Sequence, residues 1–254
     1  MANFDELALA YDDAIDWSAR LKRELPFILD AFTDSRRILD MACGSGRHAV
    51  AIAKKGYIVD AFDTSEVMIT TAKTLAKQRA AEVEFSVSDM LEISERYTGK
   101  YDGILCLGNS LALLPHVDDL RLVLSKVAGL LSDKGSFVFQ TLNFEEIEAT
   151  GFTKFDSKDG SLRTGQKVVF NRQFEHPSDD SETTTLILST MIMEDGKWVH
   201  NETRQSVLRL TISLLTELLG QTGLDRFDVY ATYDKAPFEH ETSRSIVIHA
   251  KRAI

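Results

Sequence analysis

The chain contains the stretch Ile38-Leu39-Asp40-Met41-Ala42-Cys43-Gly44-Ser45-Gly46, in which a short apolar run leads through an acid into two closely spaced glycines. A helical pattern follows and runs to Gly56. Glycine tolerates conformations that bring a ligand close to the backbone, and the first turn of a helix presents unpaired N–H groups. This strand, turn and helix predict a binding site for a nucleotide cofactor.

A second acid, Asp63, ends the next apolar run, where a carboxylate is able to bind both hydroxyls of a ribose. Its alternative role is the N-cap of the following helix, which Thr64 and Ser65 open. The glycine spacing is a loose signal, because Gly44 and Gly46 also satisfy the permissive dinucleotide fingerprint. From these residues alone, a nicotinamide or flavin site and another adenosine cofactor are equally open.

Strand-like and helix-like segments alternate from Arg37 to Gln140, which predicts an α/β protein with a mostly parallel sheet. A helix with Thr211 as its N-cap then runs to Gly220. The predicted strands lie near residues 37–41, 57–62, 82–87, 101–107, 135–141, 225–233 and 244–251. The predicted helices between the first five strands lie near residues 46–55, 65–79 and 117–131.

Two further segments flank this pattern. Residues 4–32 are predicted to be helical, and Pro26 is expected to break or kink them. Residues 151–208 are rich in β-branched and apolar side chains and contain the hairpin signal Asp195-Gly196, so we expect an antiparallel insertion of about three strands. The expected division is a core of residues 1–150 and 209–254, with residues 1–32 as a helical lid and the insertion as a substrate cover.

Composition limits the classes of partner. The chain has 254 residues, a net charge of −10 and no apolar run near the ~20 residues of a membrane span. The acidic balance disfavours a nucleic-acid substrate, and the acidic start lacks the pattern of a secretion signal. Cys43 and Cys106 are expected to be free thiols on neighbouring strands, as in the reducing cytosol. We therefore expect a cytoplasmic protein without membrane or nucleic-acid partners, either monomer or homodimer.

Four ordered motifs resemble those of class I S-adenosylmethionine-dependent methyltransferases. They are Asp40 to Gly46, Asp63 to Met68, Ser88-Asp89-Met90, and Tyr101 to Ser110. The resemblance implies S-adenosylmethionine as the cofactor. It also implies a Rossmann-like, seven-stranded, mostly parallel sheet whose last strand is antiparallel.

The resemblance implies roles for individual residues. Asp40 is expected near the methionine end of the cofactor, Asp63 at its ribose and Asp89 at its adenine. In the N-terminal segment, Tyr11 and Trp17 either contact the cofactor and acceptor or only pack. The full expected cofactor site is Tyr11, Trp17, Arg20, Asp40, Ala42, Gly44, Gly46, Asp63, Thr64, Met68, Asp89, Met90, Leu107 and Gly108.

The segment from Gly108 to Pro115 is similar to the corresponding loop of glycine and sarcosine N-methyltransferases, although Leu111 and Leu113 replace an aromatic residue and a histidine. This likeness favours a nitrogen acceptor on a small molecule, with oxygen and sulfur left open. The family's arginine before Asn143-Phe144 is Leu142 here, so another cation would have to bind a substrate carboxylate. The catalytic candidates are Asn109, Ser110 and His116, and the candidate cations are Arg163, Arg172 and Arg204.

Methyl transfer is an in-line displacement that requires positioning and exclusion of water rather than a metal or a covalent nucleophile. The six histidines have no metal-ligand spacing, so no metal site is predicted. Two alternatives from other classes stay open: a non-catalytic S-adenosylmethionine sensor or partner subunit, and a NAD-dependent oxidoreductase, which shares the first two motifs but for which no Tyr-x-x-x-Lys is evident.

Overall fold

A seven-stranded sheet forms the centre of the protein. The computed structural model describes residues 4–93, 97, 100–162, 164–178, 181–194 and 196–252. The strands are β1 (Arg37–Met41), β2 (Ile58–Asp63), β3 (Val83–Val87), β4 (Tyr101–Cys106), β5 (Leu131–Leu142), β6 (Lys158–Ser161), β7 (Lys167–Glu175), β8 (Thr183–Glu194), β9 (Lys197–Leu208), β10 (Arg226–Tyr230) and β11 (Ser245–Lys251).

The order of strands in the central sheet is β10-β11-β5-β4-β1-β2-β3. The pairs from β5 to β3 are parallel, whereas β11 runs antiparallel to both β5 and β10. The expected mostly parallel sheet with an antiparallel last strand is therefore confirmed.

Helices cover both faces of this sheet. The helices of the described residues are α1 (Phe4–Asp13), α2 (Trp17–Ala31), α3 (Arg47–Ala53), α4 (Glu66–Arg79), α5 (Val117–Leu130), α6 (Phe144–Thr150) and α7 (Ile212–Gln221). Of these, α1 packs against β6. The predicted cap of α7 is confirmed, since the Thr211 hydroxyl accepts a hydrogen bond from the Leu214 N–H at 3.2 Å. Short 3₁₀ turns occupy Met90–Glu92 and Ser110–Leu113.

The strands of the sheet are apolar because helices exclude water from both of its faces. In β1, Ile38 and Leu39 are fully buried on opposite faces, one in each of two large apolar clusters. Met41 of β1 aligns with Phe62 of β2 and with Cys106 of β4. The carboxyl ends of these parallel strands therefore lie along one edge, and the loops that follow them meet there.

The N-terminal segment departs from the expected single interrupted helix. The interruption falls at residues 14–16, where Asp16 caps α2 by accepting a hydrogen bond from the Ala19 N–H at 3.0 Å. Pro26 lies inside α2 and does not end it. Burial of the next two residues, Phe27 and Ile28, offsets the cost of about 3 kcal/mol that proline imposes on a helix interior.

A second, antiparallel sheet follows α6, with the order β6-β7-β8-β9. It has four strands rather than about three, because β6 has the sequence Lys-Asp-Gly-Ser, which carries no strand signal. Gly196, with φ of +78°, lies in the turn between β8 and β9. Asp195, the other residue of the expected hairpin turn, lies outside the described residues.

Both cysteines are free, but they differ from the expectation in position. Cys106 ends β4 and is buried, whereas Cys43 is partly exposed in the turn after β1. Across the residues that the structure describes, no helix combines the length and apolar character needed to cross a membrane.

Candidate active site

The turn after β1 forms a cradle at the carboxyl edge of the sheet. Ala42, Gly44 and Gly46 have φ values of 53°, 54° and 74°, in the left-handed region. A Cβ atom added to Gly46 would lie 2.7 Å from Cβ of Ala72 and 2.9 Å from Cζ of Phe85, whereas one added to Gly44 would have no atom of the described chain within 4 Å. Gly46 thus permits close packing, and Gly44 leaves its backbone open to a ligand.

Asp63 joins the end of β2 to this cradle. Its Oδ2 accepts a hydrogen bond from the Gly44 N–H at 2.9 Å, and its Oδ1 accepts one from the Ser65 N–H at 3.0 Å. The N-cap of α4 is Ser65, whose hydroxyl accepts from the Met68 N–H. A carboxylate oxygen has the capacity to accept more than one hydrogen bond. The partly exposed Asp63 side chain is therefore still able to bind two hydroxyls of a ribose.

Asp40 is a buried acid beneath the cradle. Burial, together with the nearby charge of Asp63, raises the pKa of Asp40 to about 7, although the Ala49 N–H acts in the opposite direction. Its Oδ2 has no hydrogen-bond partner among the described residues. Such an oxygen fits a ligand that brings a positive charge or an N–H donor.

The loop after β3 adds polar groups to the same edge. The Ser88 N–H donates to the backbone oxygen of Asp63 at 3.1 Å, while the buried Ser88 hydroxyl has no partner within the described part of the chain. Asp89 is exposed and caps the Met90–Glu92 turn by accepting from the Leu91 N–H at 2.8 Å. Met90 packs against the larger apolar cluster.

The N-terminal helices are attached directly to the glycine turn. The Ser45 hydroxyl donates to Oδ1 of Asp12 at 2.8 Å, and Nη2 of Arg47 lies 3.4 Å from Oδ2 of the same carboxylate. Nε1 of Trp17 donates to the backbone oxygen of Asp12 at 3.0 Å, and its ring packs edge-on against His48. Asp12 and Ser45 were not among the predicted site residues, since no sequence pattern relates them.

A buried acid holds Arg20 at the end of β4. Nε of Arg20 donates to both oxygens of Glu24, at 3.0 and 3.1 Å, and Nη2 of Arg20 lies 3.6 Å from where a Cβ of Gly108 would be. His48 Nε2 lies 2.8 Å from the Glu24 carboxylate. Burial alone would raise the pKa of Glu24, but the His48 hydrogen bond and the Arg20 charge lower it to about 2. Burial lowers the pKa of His48, while the hydrogen bond with Glu24 acts in the opposite direction. Because the Glu24 carboxylate is an acceptor, Nε2 of His48 is the donor in this hydrogen bond.

The loop after β4 is tied to β5. Gly108 and Asn109 have φ values of 76° and 67°. Oδ1 of Asn109 accepts from the Leu142 N–H at 2.9 Å, and the Gly108 N–H donates to Oε1 of Gln140 at 3.2 Å. The Ser110 hydroxyl donates to the backbone oxygen of Leu107 at 2.8 Å. These bonds hold the loop rigidly beside Arg20.

The remaining predicted residues occupy varied positions. Leu107 is buried, Thr64 is exposed and Met68 is half-buried. His116 is exposed at the N-cap of α5, where its side chain makes no capping hydrogen bond. By themselves, these positions do not indicate a chemical role for any of the four residues.

The candidate cations of the second sheet are in different environments. Arg204 forms ion pairs with Glu175 and Glu202 on the surface. The Arg172 guanidinium lies 5.4 Å from the centroid of the Tyr11 ring. Arg163 is outside the described residues. Lys158, which the sequence did not indicate, approaches the same ring to 5.2 Å.

Residues 38–135, which include the cradle and the loops after β2, β3 and β4, match the methyltransferase domain family. With the strand order and the cradle, this match and the relatives described next show that the chain belongs to the class I S-adenosylmethionine-dependent methyltransferases. The cofactor of this family is S-adenosylmethionine. The open backbone of Gly44, the unpartnered oxygen of Asp40 and the Asp63 carboxylate fit that cofactor.

Named relatives differ in the atom that they methylate. The chain is 31% identical over 144 residues to a glycine/sarcosine N-methyltransferase of Halorhodospira halochloris, covering 56% of this chain and 54% of that protein. It therefore spans about half the length of this relative. It is 30% identical over 195 residues to a ubiquinone biosynthesis O-methyltransferase of Coxiella burnetii, covering 69% of this chain and 77% of that protein.

A solved structure resembles the protein over nearly its full length. An S-adenosylmethionine-dependent methyltransferase from Clostridium acetobutylicum superimposes with a TM-score of 0.74, covering 94% of this chain and 93% of that one at 16% identity. At that identity the likeness concerns the fold alone.

Proposed function

We propose that this protein transfers a methyl group from S-adenosylmethionine to a nitrogen atom of a small-molecule acceptor. The observation that carries the proposal is the meeting of the glycine cradle, Asp40 and Asp63 with the loop at Gly108 and Asn109 along one sheet edge. Family membership supports S-adenosylmethionine as the methyl donor. The arrangement of this edge supports an acceptor site beside the loop at Gly108 and Asn109.

In this proposal the cofactor lies along the cradle. The backbone of Ala42, Gly44 and Gly46 contacts it, and Asp63 accepts hydrogen bonds from its ribose. Asp40 faces the positive charge of the methionine part, and Arg20, held by Glu24, pairs with its carboxylate. Asp89 and Met90 bind the adenine from the loop after β3.

When bound, the cofactor supplies a methyl group already activated by a positively charged sulfur. The protein has to hold the acceptor in line with that group and to exclude water. The loop from Gly108 to Ser110 is suited to positioning because its hydrogen bonds to β5 fix its backbone, while Nδ2 of Asn109 makes no hydrogen bond to the described residues. Tyr11 and Trp17 close the site from the N-terminal side.

Nitrogen is proposed over oxygen because of the Gly108-Asn109-Ser110 segment, which is similar to that of the N-methylating relatives. The O-methylating relative has nearly the same identity, so overall likeness does not separate the two. The reacting atom is therefore an experimental question with a direct answer.

The test is methyl transfer from labelled S-adenosylmethionine to separate pools of amines and amino acids, thiols, phenols and carboxylates, with RNA as a further pool. Label in the amine pool alone supports the proposal. Label only in phenols or thiols would contradict the nitrogen assignment. Binding of S-adenosylhomocysteine without transfer into any pool would favour a non-catalytic sensor.

A variant tests the role of the loop. Asn109→Ala is expected to lower kcat by about tenfold or more with little change in S-adenosylhomocysteine affinity, because Asn109 positions the acceptor rather than the cofactor. Leu113→Ala, an exposed change in the following turn, is the matched control. Equal losses of turnover and cofactor affinity in Asn109→Ala would contradict a positioning role.

A further inference from the structure

We propose that Lys158 and Arg172, which both approach the ring of Tyr11, form an anion-binding site that selects acceptors carrying a carboxylate or phosphate group. This inference rests on the proposed function for its biological meaning, since the anionic group would belong to the methyl acceptor. Its physical basis is the second sheet, which none of the family motifs includes.

The register of the sheet brings the two cations together. Lys158 of β6 is paired directly with Phe170 of β7, so their side chains share a face. Arg172 is two residues further along β7 and projects from that same face. The ring of Tyr11, from α1, packs edge-on against Phe170 with centroids 5.4 Å apart. This face of the second sheet is therefore turned toward α1.

Neither cation is neutralised by the protein. Within the described residues, Lys158 and Arg172 form no ion pair, whereas Arg20, Arg37 and Arg47 each contact a carboxylate. Burial and the charges of Arg172 and Arg20 lower the pKa of Lys158, which indicates that the positive charges repel one another. In a chain with a net charge of −10, unpaired and half-buried cations are a cost that a bound anion would remove.

A third polar group lies on the same face. Thr190 of β8 is paired directly with Phe170, and its hydroxyl is buried without a partner among the residues described. Thr190 is only 7% exposed, so bulk water does not satisfy it. A hydroxyl donor on the same face of the sheet as two cations adds a group able to bind a carboxylate or phosphate oxygen.

Arg20 is assigned elsewhere. Glu24 holds its guanidinium beside Gly108, at the end of β4, and that pairing directs it toward the cofactor. Lys158 and Arg172 belong to the second sheet and contact Tyr11, whereas Arg20 belongs to α2 and contacts Trp17. The two sets of cations therefore recognise two different anions, one on the cofactor and one on the acceptor.

The direct test is an NMR titration of the protein saturated with S-adenosylhomocysteine. Sodium acetate and inorganic phosphate are added separately at constant ionic strength, and the Nε–Hε signal of Arg172 and the ring signals of Tyr11 are followed. We expect saturable shifts of both signals; those of the Tyr11 ring disappear in Arg172→Gln, and both weaken in Lys158→Gln. The matched controls Arg204→Gln and Lys167→Gln, on the same sheet, are expected to retain them.

Three results would overturn the proposal: no saturable shift with either anion, shifts retained in Arg172→Gln, or displacement of S-adenosylhomocysteine by the anion, which would assign these cations to the cofactor. The anion that saturates at the lower concentration separates a carboxylate from a phosphate preference. Because no methyl transfer is involved, failure of the proposed enzymatic function does not affect this reading.

Turnover provides the second arm, with amine acceptors compared in pairs that differ only by a carboxylate. Arg172→Gln is expected to lower kcat/KM for the carboxylate-bearing member by about tenfold or more, with a much smaller effect on its uncharged partner. Its affinity for S-adenosylhomocysteine is expected to stay within about twofold. Equal losses for both acceptors would contradict anion selection.

Discussion

Two glycines of the cradle, two residues apart, are expected to respond differently to the same change. Replacing Gly44 or Gly46 by alanine places a Cβ on left-handed backbone, which costs about 1–2 kcal/mol. At Gly46 the new Cβ would also collide with Ala72 and Phe85, at 2.7 and 2.9 Å, which adds about 1–3 kcal/mol of overpacking. At Gly44 it enters open space, so only the backbone cost applies.

The effects of the two substitutions on cofactor affinity are expected to follow the opposite order, with Gly44→Ala the more harmful. The space beside Gly44 is where the proposed cofactor approaches the backbone, so Gly44→Ala is expected to weaken S-adenosylhomocysteine binding by about tenfold or more, or about 1.4 kcal/mol. Urea unfolding of the apo protein measures stability, and calorimetry measures affinity. Gly46→Ala is expected to be less stable than Gly44→Ala by about 1–3 kcal/mol.

Gly223→Ala is the matched control, since Gly223 also has a positive φ, of 80°, and open surroundings, in the loop before β10 at the other edge of the sheet. It is expected to share the backbone cost and to leave cofactor affinity unchanged. If Gly44→Ala bound S-adenosylhomocysteine as tightly as this control, the backbone of Gly44 would not be part of the cofactor site.

Three further predictions concern the acids. Asp63→Ala is expected to weaken S-adenosylhomocysteine binding by about 1.5–3 kcal/mol, and unchanged affinity by calorimetry would remove Asp63 from the site. The raised pKa of Asp40 means that the folded apo protein holds the carboxyl proton more tightly than the unfolded chain does, so the contribution of Asp40 to stability is present below pH 3.8 and is lost as the pH rises through about 7. Asp40→Asn is expected to flatten the dependence of the unfolding free energy on pH over this range, as measured by urea unfolding. An unaltered dependence would contradict the raised pKa of Asp40. The lowered pKa of Glu24 acts oppositely: its contribution is present above pH 4.5 and is lost as the pH falls toward 2. Glu24→Gln is expected to cost about 2–3 kcal/mol of unfolding free energy at neutral pH, and a loss below about 0.5 kcal/mol would show that the carboxylate is not needed to hold Arg20.

The buried hydrogen bonds around Glu24 and Asp12 connect the N-terminal helices to the glycine turn and to α3. Glu24 joins Arg20 of α2 to His48 of α3, and Asp12 joins the end of α1 to Ser45 in the glycine turn. The helices are therefore anchored to the cradle by charged and polar contacts as well as by packing. A change in α2 is expected to alter the position of Arg20 before it alters the sheet.

The central sheet was predictable because its signals are local. Apolar runs of the length of β1 and β2, each followed by a turn and a helical pattern, specify parallel strands with crossover helices. The N-cap of α7 at Thr211 was predictable for the same reason, since it depends on residues within one turn of the helix. Pro26 does not break α2 as the local preference for a helix end would have it, because burial of the neighbouring side chains outweighs that preference. The sequence also did not indicate β6, whose four residues pair with β7 without any strand propensity of their own.

The glycine turn after β1 was predictable from the sequence because glycine spacing and a strand-end acid act through backbone geometry within a few residues. The contact between Asp63 and Gly44 follows from the pairing of two adjacent parallel strands, so it was also predictable from the sequence. The arrangement of Lys158, Tyr11 and Arg172 depended on the tertiary structure alone. These residues come from a helix and two strands that are distant in the chain, and no local rule sets which face of an inserted sheet turns inward. The sequence thus determined the fold and the cofactor class, and the packing of the insertion on the N-terminal helix decided which charges meet at Tyr11.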